Sequence, residues 1–70
     1  MNLKINGEIK CFNQEEPLLT ISKILEKLKH HPKLVVVEYN GLILDPKIWD
    51  NQIIQDGDIL EIVTIVGGGS

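Results

Sequence analysis

Asp56-Gly57-Asp58-Ile59-Leu60-Glu61-Ile62-Val63-Thr64-Ile65-Val66-Gly67-Gly68-Gly69-Ser70 is the stretch on which the fold turns. Asp-Gly-Asp is a turn signal, because glycine reaches positive φ without a steric penalty and aspartate caps its own backbone. The β-branched run that follows predicts a strand over residues 59–66, the last and longest of the chain. Side chains alternate along a strand. Glu61 therefore shares one face with Ile59, Val63 and Ile65, and Leu60 and Ile62 point the other way. The three glycines after this strand carry no side chain to pack, so residues 67–70 are expected to leave the fold as a flexible tail.

Working back from this strand, residues 34–39 form another β-branched run that ends at Asn40-Gly41. Asn-Gly is the strongest two-residue hairpin signal, since both turn positions need positive φ. A short return strand over residues 42–44 follows, and then Asp45-Pro46 opens an irregular stretch carrying Ile48 and Trp49. A second Asn-Gly, at Asn6-Gly7, joins predicted strands over residues 1–5 and 8–12. Between the two hairpins, Ile21, Ile24, Leu25 and Leu28 keep the i, i+3, i+4, i+7 spacing of a helix with one buried stripe. Thr20 is its expected N-cap and Pro32 forces its end, which gives a helix over about residues 20–30. The order strand, strand, helix, strand, short strand, strand is that of the α+β β-grasp (ubiquitin-like) fold. This is a mixed four- to five-stranded sheet with one helix packed across it. Residues 1–66 make the domain, and the last strand lies centrally beside the first, in parallel.

Seventy residues allow a single domain with a thin core and little room for a deep catalytic cleft. The net charge of −3, with seven scattered lysines, does not provide the basic stripe of a nucleic-acid binder. With one cysteine, no internal disulfide can form. No apolar run approaches the length of a membrane span, so no membrane partner is expected and a cytoplasmic location is.

The parity of the strands also exposes a candidate docking surface. Glu38 is not expected inside without a partner, so Leu34 and Val36 on its side join Ile59, Val63 and Ile65 on the helix-free face. Contiguous exposed apolar patches of roughly a few hundred Å² mark interaction sites. The plainer alternative is a β-rich face broken up by Lys and Glu.

Other tempting residues carry less. Cys11 is expected to be a small buried hydrophobe. His30-His31 is expected to offset the negative end of the helix dipole rather than bind metal. Glu15-Glu16 before Pro17 reads as a solvated loop, and Trp49 as a residue packed over one end of the core. No Ser/His/Asp set, phosphate loop or metal-spaced cluster is present, so an enzyme is not expected.

Glycines 67–69 make the thinnest possible peptide, able to carry a terminal carboxylate through a narrow channel into another protein's active site. Joined to AMP, that carboxylate gains a good leaving group and becomes open to a sulfur nucleophile. A flexible linker has the same composition, so the run is not decisive alone.

Together these features resemble the ThiS family of sulfur carriers in thiamine biosynthesis, over nearly the whole chain. Residues 1–8 look like its first hairpin, residues 20–28 like its helix, and residues 35–41 like its third strand and turn. Pro46 and Trp49 stand where members often have a proline and an aromatic, and the run from Asp56 into Gly69 is the most specific part. The resemblance implies a carrier with no bound cofactor and no metal site. Its terminal glycine would be adenylated by a ThiF-like adenylyltransferase using ATP and Mg²⁺. Sulfur would come from a cysteine desulfurase persulfide, and the thiocarboxylate would serve the thiazole synthase ThiG. Members end at glycine and this chain ends at Ser70. Ser70 is then either removed before activation, or an added residue, or a mark of an inactive member; removal is the favoured reading and would expose Gly69 as the sulfur-bearing residue, with Gly68 the next choice. Two alternatives stand beside this one. The first is the small subunit of molybdopterin synthase or another ubiquitin-like sulfur carrier or modifier. The second is a plain β-grasp interaction domain with a non-functional tail.

Overall fold

The computed structural model describes residues 1–13 and 19–65; the predicted loop over residues 14–17 and the tail over residues 67–70 lie outside them. The elements are β1 (Asn2–Ile5), β2 (Glu8–Cys11), α1 (Ile21–Lys27), β3 (Val35–Tyr39), β4 (Leu42–Ile43) and β5 (Ile59–Thr64), with 3-10 turns at Pro32–Leu34 and Pro46–Ile48. They build one sheet in the order β2-β1-β5-β3-β4. β5 runs parallel to β1 and antiparallel to β3, so the last strand is central, as expected of an α+β β-grasp domain.

Both Asn-Gly turns adopt the positive φ their chemistry permits: 51° at Asn6 and 83° at Gly7, 49° at Asn40 and 90° at Gly41. Each asparagine also grips β5. The Asn6 amide donates to the Ile62 carbonyl at 3.1 Å and its oxygen accepts the Ile62 N–H at 2.7 Å. The side chain thereby imitates a strand residue and prolongs the β1–β5 ladder past the end of β1. Asn40 does the same from the other side, accepting the Ile59 N–H at 2.8 Å while its own N–H donates to the Ile59 carbonyl.

Thr20 caps α1, its hydroxyl accepting from the Lys23 N–H at 3.3 Å. The first two helical N–H groups donate to Gln52 and Trp49 carbonyls, so residues 49–54 strap the helix start. The helix ends sooner than expected. Lys29 takes φ 61°, its N–H reaches the Glu26 carbonyl and the His30 N–H reaches the Leu25 carbonyl. That is a Schellman cap built on lysine instead of glycine.

The core gathers Leu3 and Ile5 from β1, Ile21, Ile24 and Leu25 from α1, Val35 and Val37 from β3, and Leu60 and Ile62 from β5. Leu19, Trp49 and Ile54 close it, with Trp49 donating its ring N–H to the Leu44 carbonyl at 3.1 Å.

Three expectations need correction. Leu34 is not in the third strand: Pro32 has φ suited to a helical turn, and Leu34 completes that 3-10 turn before β3 begins. Cys11 is exposed rather than buried. It stands opposite Asn2 on the edge strand, on the face no helix covers, and its thiol donates to the Asn2 side-chain oxygen at 2.8 Å. His30 and His31 lie past the last helical residue, Lys27, with His30 in the cap that closes the helix. His31 instead caps the 3-10 turn, its Nδ1 accepting from the Lys33 N–H at 3.2 Å.

Candidate functional site

Two features meet at one end of the sheet: the helix-free face and the root of the tail. β5 delivers the chain to Ile65, whose N–H donates to the Leu34 carbonyl at 2.6 Å. The chain beyond residue 65 thus starts from the central strand, beside the entry to β3. Gly67, Gly68, Gly69 and Ser70 are outside the described residues.

Register fixes the neighbours on the helix-free face. Val36 stands opposite Val63 and Glu38 opposite Glu61; Ile43 lies opposite Glu38 on the outer side. In the next row Ile59, Lys4 and Ile9 align across three strands. Directly opposed residues share a face, so the structure brings together Val36, Ile59 and Val63 in two adjoining strands. Leu34 and Ile65 extend them toward the tail root. Ile59 is 46% exposed and Val63 58%, against 0% for Leu60 between them. Val36 is half-buried and Leu34 and Ile65 are exposed.

Two apolar members of this face were missed from sequence: Ile43, 71% exposed, and Ile9, 66% exposed. The signal was available. A two-residue turn fixes hairpin register, so Asn40-Gly41 places Ile43 opposite Glu38, and Asn6-Gly7 places Ile9 opposite Lys4.

The turn that launches β5 is held by carboxylates. Asp58 accepts from the Tyr39 hydroxyl at 2.6 Å, the Gln55 N–H at 2.8 Å and the Asn40 amide at 3.2 Å. Burial and then Asp58, as acceptor and as charge, push the Tyr39 hydroxyl up to about 12. Asp56 accepts the Asn2 N–H at 2.6 Å while the Gly57 N–H donates to the Asn2 carbonyl at 2.8 Å. Gly57 has φ 88°, which an L side chain rarely adopts. These bonds set the start of β5, and so the register of the helix-free face and the position at which residue 65 stands.

Among the described residues no three or more His, Cys, Asp or Glu side chains are grouped to hold a metal ion. Among the same residues no helix is long and apolar enough to cross a membrane.

The sequence model of the ThiS family matches residues 3–69. The chain is 36% identical over 69 residues to the uncharacterized protein ycf40 of Porphyra purpurea, covering 99% of this chain and 93% of that one. It is 37% identical over 70 residues to the thiazole synthase of Paramagnetospirillum magneticum, covering 100% of this chain and 21% of that protein. Among solved structures, the crystal structure of the thiamine biosynthesis protein ThiS from Geobacter metallireducens superposes with a TM-score of 0.83. It is 33% identical, with 99% of this chain and 100% of that one covered. The solution structure of a thiamine biosynthesis protein from the same organism gives 0.81 at 34% identity, covering 100% of this chain and 90% of that one. With its five-stranded mixed sheet, single crossing helix and family match through Gly69, the chain belongs to the ThiS family, the small β-grasp sulfur carriers of thiamine biosynthesis.

Proposed function

We propose that the chain carries sulfur as a thiocarboxylate on Gly69, for building the thiazole ring of thiamine. The observation that bears most weight is the extent of the family match, which runs to Gly69 and leaves Ser70 outside it. Once Ser70 is removed, the Gly69 carboxylate attacks the α-phosphorus of ATP in a ThiF-like adenylyltransferase, with Mg²⁺ on the phosphates, and pyrophosphate leaves. A cysteine desulfurase persulfide sulfur then displaces AMP from the acyl carbon. A thiol then attacks the desulfurase cysteine sulfur of the resulting acyl disulfide, releasing the thiocarboxylate and leaving that cysteine in a new disulfide with the thiol. Thiazole synthase accepts the sulfur, and a relative bearing that name contains a segment similar to this whole chain.

The body's part in this is to dock. Glycine has no Cβ, so residues 67–69 offer a channel the narrowest peptide available, and the partner must recognise the carrier elsewhere. Leu34, Val36, Ile59, Val63 and Ile65 lie on the face next to the tail root and are suited to that task.

The test is a chain ending at Gly69, incubated with its own adenylyltransferase, ATP, Mg²⁺ and a cysteine desulfurase. Intact mass spectrometry should show oxygen exchanged for sulfur at the terminus. A chain ending at Gly69 that forms no adenylate and gains no sulfur would overturn the proposal.

A further inference from the structure

The centre of the open face contains a pairing that the fold itself does not explain. Glu38 and Glu61 are directly opposed across β3 and β5. Like charges placed this way destabilise a sheet. The Lys10–Glu8 ion pair, at 3.7 Å, lies out on β2 and involves neither glutamate. Lys4, on the same face, belongs to the next row, opposite Ile59. Around the two carboxylates stand Val36, Val63, Ile59 and Ile43. The arrangement is therefore an apolar surface with two adjacent negative charges at its middle.

We propose that this face receives a partner protein that places an arginine guanidinium between Glu38 and Glu61, inside an apolar ring. The proposal rests on the carrier reading and names the chemistry by which the partner recognises the face. A guanidinium is planar, stays charged at any physiological pH and offers several N–H donors in a fixed fork, so it can serve two carboxylates at once. Ringing side chains that exclude water strengthen such a contact. Charge also argues against a second copy of this chain as the occupant. A twofold contact on this face would bring four carboxylates together, on a chain whose net charge is already −3.

The experiment measures binding of the full chain to its own purified thiazole synthase, comparing the unaltered protein with Glu38→Gln/Glu61→Gln. A Glu8→Gln/Glu26→Gln variant carries the same change in net charge at sites off this face. Glutamine keeps the shape and removes the repulsion, so the first variant should melt at the same or a higher temperature. It should nevertheless bind about tenfold more weakly or worse. Raising salt from about 50 to about 500 mM should weaken the unaltered protein's binding far more than the variant's. The charge-matched control should bind like the unaltered chain. Equal binding by the unaltered chain and the Glu38/Glu61 variant overturns the proposal alone, as does an equal loss in the control. If the unaltered chain does not bind thiazole synthase at all, the carrier reading falls and this proposal falls with it.

Discussion

The two faces of the sheet are built from the same kinds of residue and do opposite work. Along β5, Leu60 and Ile62 are buried under α1, while Ile59 and Val63 are about half exposed on the other side. β3 repeats the pattern, with Val35 and Val37 inside and Val36 turned outward. Apolar character alone therefore does not say what a side chain is for. What separates the two sets is whether this chain supplies the covering layer. On one face it does, with the helix; on the other, none of the described residues forms such a layer.

The largest effect is expected on the covered face. Leu60 is fully buried at the middle of the core, so Leu60→Ala should lose about 3 kcal/mol in chemical denaturation, by lost transfer energy and an unfilled cavity. In a domain this small that is a large share of the whole stability. A loss below about 1 kcal/mol would mean that the two faces are not energetically distinct.

Asn6 sharpens the comparison, since it holds the backbone of the strand both faces share. Asn6→Ala removes two hydrogen bonds to Ile62 and puts alanine at φ 51°. A cost of about 2 kcal/mol is expected. Amide exchange should speed up first at Ile62, whose N–H loses its acceptor.

The smallest stability effect is expected on the open face. Val63→Ala should change the unfolding free energy by less than about 0.5 kcal/mol, as for surface sites generally. If this face docks, the same variant should slow sulfur transfer to thiazole synthase clearly, in a single-turnover assay. A variant that unfolds readily, or transfers sulfur at the unaltered rate, would break the division between the faces.

Much of this was legible in the sequence, for reasons that are local. The two Asn-Gly turns, the apolar helical stripe from Ile21 to Leu28 and the strand parity around Glu38 and Glu61 are each fixed by near neighbours. Those patterns led to the order of elements along the chain, which matches a known fold with a central last strand, and to the outward-facing Val36, Ile59 and Val63. What escaped depends on distant contacts. Leu19 and Ile54 enter the core because residues 19–21 and 52–54 bond to each other, with Thr20 and Ile53 bridged. Cys11 is exposed because of where β2 lies in the sheet, on its outer edge, and nothing in Glu8-Ile9-Lys10-Cys11 announces that. The helix stops early because Lys29 takes a backbone conformation usually left to glycine.

The place from which the tail starts has a mechanical consequence. β5 is flanked on both sides, by β1 and by β3. A pull applied at residue 65 along the strand axis therefore loads the hydrogen bonds of both ladders in shear, all together. The same pull on β2 or β4, at the margins, would peel bonds away one by one. If the chain beyond residue 65 is drawn into another protein, as the carrier proposal requires, the load falls on the strand that is held from both sides.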